Sequence, residues 1–230
     1  MSLKEDLLRE VRLVFSSPWE ETLGRVVPDP PVVGLGNKAT LLNQAVVLYA
    51  DLDGSTNMVD SNYWQFSAEI YKTFLHCAAK IIKSENGVIT AYDGDRIMAV
   101  FIGDSKCDRA VKVALHLQFA VTEIIQPAIN QQYNTDFVIG HTVGIDMSDI
   151  RAVRTGVRGD NDLVWVGKAA NYAAKLTNLP RHYPTRITEE VYFNMTEYSR
   201  LSGQKNMWEK ANWVAMNNTP IYRSSWSWTF

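Results

Sequence analysis

The sequence contains little that would tie the protein to a membrane, a nucleic acid or an oxidising compartment. Its two cysteines, Cys77 and Cys107, have no ligand-like spacing, so we expect both to be reduced and buried. No apolar run approaches the roughly 18 residues of a membrane-spanning helix, and the first residues lack the apolar core of a secretory signal. The net charge of −2 gives no basic surface for a nucleic acid or an anionic membrane. We therefore expect a soluble, cytoplasmic protein.

The composition is that of one globular domain. Hydrophobic residues make up 46% of the chain and charged residues 21%, which is enough apolar material for a buried core. Residues 3–16 have a helical apolar pattern and precede a loop rich in Pro and Gly, so residues 1–43 are predicted to form an N-terminal helix and loop. Residues 44–230 are predicted to form the main domain. The 4 histidines have no metal-ligand spacing, which argues against zinc or triad chemistry.

Apolar periodicity predicts an α+β core with the order β-α-β-β-α-β. The predicted elements are a strand at 45–51, a helix at 63–83, a hairpin at 87–92 and 96–102, a helix at 107–126, and strands at 137–145, 151–155 and 163–166. The helix at 107–126 is expected to end before Pro127, and the strand at 163–166 is expected to be short and buried. A further helix is predicted to begin at Gly167. This order indicates a ferredoxin-like fold with its helices on one face of the sheet.

Two of the predicted strand ends carry a carboxylate beside a glycine. The segment Ala-Asp-Leu-Asp-Gly-Ser-Thr at 50–56 places Asp51 at the end of a buried strand. Asp95 lies in the Asp-Gly-Asp turn of the hairpin, which is expected to lie beside that strand. Neighbouring carboxylates repel each other unless a cation lies between them, and such hard oxygen ligands suit Mg²⁺ or Mn²⁺. The sequence therefore predicts a divalent-metal site formed by these two acids.

The turn that follows Asp51 is a candidate phosphate site. Gly54, Ser55 and Thr56 are predicted to begin a helix, and the free N–H groups at a helix start favour anions. Asp53, within the same turn, is a weaker candidate for a metal ligand.

These segments resemble three motifs of the class III nucleotidyl cyclases. Residues 50–56 are similar to the first metal motif of that family, and Gly-Asp-Arg-Ile-Met-Ala-Val-Phe at 94–101 is similar to the second. Val-Gly-Lys-Ala-Ala-Asn-Tyr-Ala-Ala-Lys at 166–175 is similar to the third. The resemblance covers roughly residues 44–180, and the presence of three motifs in the family's order makes it specific.

The resemblance implies a two-metal reaction at a site shared by two chains. Asp51, Asp95 and the carbonyl of Leu52 would hold two divalent ions, Mn²⁺ or Mg²⁺, which activate a ribose 3′-hydroxyl and stabilise the departing pyrophosphate. Asn171 would orient the ribose. Lys175 stands one helical turn later, where the family has Arg, and would supply a point charge instead of a bidentate fork. In this family the metal ligands come from one subunit and the other residues from its partner, which implies a head-to-tail homodimer.

The chain departs from the family in the base pocket. Ala91 and Val164 stand where adenylate cyclases place the Lys and Asp that select adenine, and where guanylate cyclases place Glu and Cys. Neither can hydrogen-bond a base edge, so selection of a purine by the usual pair is not expected. Tyr49, Tyr92 and Trp165 flank these positions and would narrow the pocket towards a smaller base. Taken singly, each of these aromatic residues is also typical of a core.

This pattern is similar to that of the bacterial pyrimidine cyclases of the Pycsar anti-phage systems. The resemblance implies conversion of UTP to cyclic UMP, a second messenger that a separate effector recognises. The residues leave three alternatives open, namely a cytidylate cyclase that uses CTP, an adenylate cyclase with an atypical pocket, and a degenerate domain that binds nucleotide without turnover. Intact Asp51 and Asp95 oppose the last of these, whereas Lys175 in place of Arg keeps it open.

Overall fold

A large mixed β-sheet forms the centre of the molecule, which a computed structural model describes over residues 2–157 and 159–230. The strands are β1 (Glu20–Leu23), β2 (Lys38–Leu52), β3 (Val88–Asp93), β4 (Arg96–Phe101), β5 (His141–Val157), β6 (Asp160–Val166), β7 (Thr185–Thr188), β8 (Leu201–Ser202), β9 (Lys205–Asn206), β10 (Glu209–Trp213) and β11 (Thr219–Ser224). The sheet has the order β10-β11-β7-β5-β2-β4-β3, with β1 beside β2 and β6 beside β5, while β8 and β9 form a separate short hairpin.

Helices cover both faces of this sheet, so the expectation that they lie on one face was wrong. They are α1 (Leu3–Ser16), α2 (Ser55–Ser61), α3 (Trp64–Ser84), α4 (Lys106–Phe119), α5 (Gln126–Gln132), α6 (Lys168–Leu176), α7 (Glu189–Asn194) and α8 (Glu197–Arg200). A π-helical segment at Ala120–Ile125 joins α4 to α5, and a short 3₁₀ turn lies at Val214–Met216.

The predicted ferredoxin-like core is confirmed by β2, α3, β3, β4, α4 and β5. β2 lies between β4 and β5 and is antiparallel to both. Apolar residues of α3 and α4 pack on one face of these strands, where Phe74 and Phe101 are completely buried. Burial of a side chain of this size stabilises the fold by roughly 1.5–3 kcal/mol. β7 then extends the sheet parallel to β5, beyond the predicted core.

The opposite face of the sheet is covered by α6. Most of its buried residues are small, namely Ala169, Ala170 and Ala173, and these pack against Val47 of β2 and Met98 of β4. Because alanine side chains are short, the helix lies close to the strands beneath it. This face of the sheet is also the one from which the candidate site is built.

Three expectations about individual elements were also wrong. Pro127 does not follow the end of a helix but lies in the first turn of α5, which continues directly from the π-helical segment at Ala120–Ile125. The strands predicted at 137–145 and 151–155 are one continuous strand, β5, which begins only at His141. The strand predicted to be buried at 163–166 is β6, and its side chains alternate between exposed and half-buried because it lies at an edge.

The termini add elements that the core does not require. α1 begins with a capping box between Ser2 and Glu5 and has no buried residue. At the other end, the backbone N–H of Trp228 donates to the carbonyl of Leu115 in α4, so the tail packs on that helix. Of the two free cysteines, Cys107 is buried as expected, whereas Cys77 is partly exposed. Within the described ranges, no helix is long and apolar enough to cross a membrane.

Candidate active site

Asp51 and Arg96 form the centre of the candidate site. Ala50 of β2 pairs with Ile97 of β4, so Asp51 and Arg96 lie opposite each other one position further along these antiparallel strands. A guanidinium nitrogen of Arg96 lies 2.7 Å from a carboxylate oxygen of Asp51. The Arg96 side chain is 30% exposed and the Asp51 side chain 15%. The prediction that the first strand and the hairpin lie side by side is therefore confirmed.

The surroundings of Asp51 disfavour its negative charge despite this ion pair. Burial raises the pKa of the Asp51 carboxyl, the hydrogen bond from Arg96 opposes that rise, and repulsion by Asp95 and Asp53 adds to it. The same hydrogen bond raises the pKa of the Arg96 guanidinium. Asp51 thus belongs to a partly dry cluster of carboxylates, in which a further cation would stabilise the ionised form.

Asp95 supplies the second carboxylate, from the turn between β3 and β4. One of its oxygens is buried and has no hydrogen-bond partner among the described residues. Such an atom is costly for the fold unless a cation or a water molecule contacts it. This carboxylate therefore has the coordination capacity that a metal ligand needs.

The donor set suits an ion that keeps part of its coordination shell for other oxygens. Residues 2–157 and 159–230 contain no group of 3 or more His, Cys, Asp or Glu side chains placed to hold a metal. The protein offers two carboxylates, those of Asp51 and Asp95, and the backbone carbonyl of Leu52 between the first strand and its turn. Mg²⁺ and Mn²⁺ accept such a sparse set, because substrate phosphates and water complete their shells.

The turn after β2 begins a helix, as predicted. Gly54 has a φ of 74°, a left-handed conformation that glycine adopts most readily, and α2 starts at the next residue, Ser55. Gly54 offers no side chain to cap α2, so the first N–H groups of that helix are left for another acceptor. Asp53 precedes this turn, and its carboxylate lies 3.5 Å from the guanidinium of Arg181. The Asp53 side chain is 41% exposed, against 15% for Asp51, so water already solvates its charge and it has less need of a metal ion than Asp51.

Asn171 and Lys175 lie on the outer face of α6. Both side chains are exposed, whereas the inner face of the helix, which includes Ala173, is buried against the sheet. The Lys175 amino group lies 3.8 Å from the sulfur of Met216. The two residues therefore share one helix face, as predicted, but that face points away from the strands of their own chain. The structure does not bring them to Asp51 within one chain.

The five base-pocket candidates separate into two groups. Tyr49, Ala91 and Trp165 are partly buried and pack against the cluster beneath α6. Burial raises the pKa of the Tyr49 hydroxyl, and the indole N–H of Trp165 is buried with no partner in the described part of the chain. Tyr92 and Val164 are 57% and 43% exposed and stand outside that cluster, because alternation along a strand turns them to the other face.

Arg96 is the residue of this site to which the sequence analysis assigned no role. Its guanidinium carbon lies 6.0 Å from the centre of the Tyr49 ring, so it links the acid cluster to the base-pocket candidates. The sequence could have indicated this residue. If Asp51 lies beside the hairpin, Arg96 is the first residue after Asp95 that can face Asp51.

Curated proteins are similar to this chain over essentially its whole length. No model of a protein family matches the chain. The uridylate cyclase of Burkholderia cepacia is 52% identical over 230 residues, which is 100% of both chains. The uridylate cyclase of Xanthomonas perforans is 50% identical over 99% of each chain.

Solved structures of cyclases share the fold. The adenylyl cyclase CyaB from P. aeruginosa matches with a TM-score of 0.66 at 17% identity, over 81% of this chain and 95% of that one. The guanylyl cyclase Cya2 matches with a TM-score of 0.65 at 16% identity, over 81% of this chain and 96% of that one. At this level of identity the likeness establishes the class III cyclase fold. The full-length identity to the curated relatives establishes more: the chain belongs to the uridylate cyclase family.

Proposed function

We propose that this protein is a uridylate cyclase, which converts UTP to 3′,5′-cyclic UMP and pyrophosphate. The observation that carries the proposal is the identity of 52% and 50%, over essentially the whole chain, to two proteins of that name. The placement of Asp51 beside the hairpin that carries Asp95 supports it, because a cyclase must gather charge around a triphosphate.

Asp51, Asp95 and the carbonyl of Leu52 would hold two divalent ions, Mn²⁺ or Mg²⁺. When bound, such ions lower the pKa of a ribose hydroxyl and stabilise the charge of the departing pyrophosphate. The buried, unpartnered oxygen of Asp95 fits this role, and so does the burial that raises the pKa of Asp51, since a cation beside either carboxylate would stabilise its ionised form. Arg96 supplies part of that charge in the protein alone.

The chain itself positions the substrate and contributes fixed charges. In the reaction, the 3′-oxygen of UTP bonds to the α-phosphorus, the bond to the pyrophosphate oxygen breaks, and the hydroxyl proton is lost. We assign the N–H groups that follow Gly54, together with Ser55 and Thr56, to the phosphates. Asn171 orients the ribose, and Lys175 meets the charge that develops on the phosphates.

The site is completed by a second copy of the chain. Asn171 and Lys175 lie on the exposed face of a helix whose other face is buried against its own sheet. They would reach Asp51 of their own chain only if α6 left the sheet. A homodimer that places α6 of one copy over the acids of the other satisfies both constraints. Mixing two inactive variants, Asp51→Ala and Lys175→Ala, should then restore part of the activity. Failure to do so in confirmed mixed dimers would contradict the shared site.

The base pocket is assigned to Tyr49, Ala91 and Trp165. They pack together with the cluster that α6 covers, and their two aromatic rings would narrow the space for a base. Ala91 presents no group that could pair with a purine edge. We infer that the pocket selects a pyrimidine by size, with UTP preferred.

The direct test offers the purified protein each of the four ribonucleoside triphosphates with Mn²⁺ and identifies the products by mass spectrometry. Cyclic UMP as the main product is expected. Cyclic CMP would indicate a cytidylate cyclase and cyclic AMP an atypical adenylate cyclase, and a lack of any product would indicate a binding domain without turnover. Each of these three outcomes would overturn the assignment.

We further infer that cyclic UMP acts as a second messenger in anti-phage defence and is recognised by a separate effector protein. The resemblance to the pyrimidine cyclases of Pycsar systems supports this role. Cells that express the cyclase with its effector should resist phage plating, and the Asp95→Asn variant should remove the resistance. Equal protection by that variant would contradict a signalling role for the product.

A further inference from the structure

One face of β5 contacts α6 at its beginning, its middle and its end. The contacting residues are Ser148, Gly144 and Thr142, which lie on the same side of the strand because side chains alternate along it. α6 is the helix that carries Asn171 and Lys175. β5 therefore contacts the whole length of the helix that presents these two residues.

Ser148 caps the start of α6 from outside the helix. Its hydroxyl accepts a hydrogen bond of 2.9 Å from the backbone N–H of Ala169 and donates one of 3.0 Å to the carbonyl of Asp149. The residue at the usual capping position, Gly167, makes no side-chain cap. Ala169 is completely buried, so its N–H has little access to water as a substitute.

The middle and the end of α6 are held differently. A β-carbon at position 144 would overlap the carbonyl oxygen of Ala173 and lie 2.7 Å from the β-carbon of Leu176, so only glycine lets the helix lie this close to β5. At the end of the helix, the hydroxyl of Thr142 donates a buried hydrogen bond of 2.7 Å to the carbonyl of Thr177.

We propose that Ser148 and Thr142 are positioning residues for the cyclase reaction, acting through α6 on Asn171 and Lys175 of the shared site. This inference rests on the proposed function. It adds two residues that hold α6 in place and differ from the residues assigned to contact the substrate. Neither hydroxyl touches substrate. Both residues belong to β5, the strand next to β2, so the support of α6 is tied to the strand that carries Asp51.

The expected effect is on turnover more than on substrate binding. Without the Ser148 hydroxyl the first turn of α6 shifts or frays, and a misplacement of about 1 Å at a reacting group costs up to roughly 100-fold in rate. We expect Ser148→Ala to lower kcat by about 10- to 100-fold. KM for UTP should change much less, because the acids and the turn at Gly54 still bind the triphosphate. Ser148→Thr keeps a hydroxyl and should recover most of kcat.

Ser84→Ala is the matched control. The Ser84 hydroxyl donates a hydrogen bond of 2.8 Å to the carbonyl of Ile81 at the end of α3, on the other face of the sheet. This variant also removes one serine hydroxyl from a helix end, and it should leave kcat unchanged. Equal losses in the two serine variants would show that general destabilisation, and not the position of α6, causes the defect.

Mixed dimers provide a readout that a merely structural role would not affect. Ser148→Ala mixed with Asp51→Ala should recover activity, because one of the two sites combines intact acids with an intact α6. Ser148→Ala mixed with Lys175→Ala should not recover, because both defects lie in α6. The reverse pattern, or full kcat in Ser148→Ala alone, would overturn the proposal.

Two further results keep the test decisive. If Ser148→Ala does not fold, Thr142→Val removes the hydroxyl at the other end of α6 with little change in shape, and the same kcat loss and mixing pattern are expected. If the wild-type protein makes no cyclic nucleotide, the proposed function fails. If Lys175→Ala is inactive while Ser148→Ala and Thr142→Val are fully active, only the positioning role fails.

Discussion

Replacing Asp95 by Asn should stabilise the protein in metal-free buffer and should reduce the stabilisation that metal provides. Asparagine keeps the shape of the side chain but removes a charge that is close to Asp51 and that has a buried, unpartnered oxygen. Leaving a buried polar or charged group without a partner costs about 1–3 kcal/mol. An unpartnered charge costs more than the unpartnered amide of asparagine, and because Asp95 is only half-buried we expect this difference to be a gain of about 1 kcal/mol in the free energy of unfolding without metal.

Metal should reverse that order. A ligand that binds only the folded state at a concentration of about 100 times its Kd adds roughly 2.7 kcal/mol to the free energy of unfolding. The wild-type protein should therefore gain about 3 kcal/mol in saturating Mn²⁺, whereas the Asp95→Asn variant has lost a ligand and should gain far less at the same concentration. The two proteins are expected to exchange rank when Mn²⁺ is added.

Urea denaturation of both proteins, with EDTA and with MnCl₂, measures this exchange without any enzyme assay. Asp93→Asn is the matched control, since Asp93 lies in the same turn but is exposed. It should follow the wild-type protein in both buffers. Equal stabilisation of Asp95→Asn and the wild type by Mn²⁺ would refute the metal assignment. A loss of stability in EDTA would refute the electrostatic reasoning.

Three further predictions concern the acid cluster and β5. Asp51→Asn should lower turnover by about 1000-fold, since loss of the proposed metal ligand would remove several kcal/mol of transition-state stabilisation, and substantial activity with folded protein would contradict this. His141 is buried beside Leu52, and burial lowers its pKa from 6.5 to about 4. Between these values the unfolded chain binds the additional proton, so stability should fall by about 2 kcal/mol from pH 7 to pH 5. Urea denaturation at several pH values should show this slope in the wild type and its loss in His141→Leu, and an unchanged slope in that variant would exclude His141 as the cause. Gly144→Ala should destabilise the fold by about 1–3 kcal/mol, because the added methyl overlaps the backbone of α6 at Ala173, and an unchanged unfolding midpoint would show that the helix can move away freely.

The core of the fold was predictable because its elements have strong periods. The helical spacing at 63–83 corresponds to α3, whose buried positions form one stripe. The apolar run at 45–51 lies within β2, which is buried on both faces for most of that length. The position of Asp51 beside the hairpin followed from these elements alone, since the β-α-β-β order makes the first strand a neighbour of the hairpin.

The wrong strand predictions concern β5 and β6, whose length and burial depend on their positions in the sheet. The residues of β6 are apolar enough for a buried strand, but the strand pairs only with the far end of β5 and is therefore half exposed. Periodicity also cannot show that the predicted strands at 137–145 and 151–155 are one strand that changes partners along its length.

The sequence pattern likewise could not predict that Asn171 and Lys175 of the third motif face away from the sheet. Asn171 and Lys175 are four residues apart, which predicts a shared helix face but not which way that face points. The direction depends on the alanines of α6 and on their contact with the sheet. The support from Ser148 comes from a strand about twenty residues earlier in the chain, and no local motif indicates it.

The central claim is that the chain is a cyclase for uridine nucleotides, and the relative kcat/KM for the four ribonucleoside triphosphates tests it most directly. Initial rates with Mn²⁺, measured for each nucleotide and with Asp95→Asn as the blank, supply these values. The account predicts the highest kcat/KM for UTP, with cyclic UMP as the product and a clear preference over both purine nucleotides. A higher kcat/KM for ATP or GTP, or cyclic product formed equally by the Asp95→Asn variant, would contradict it.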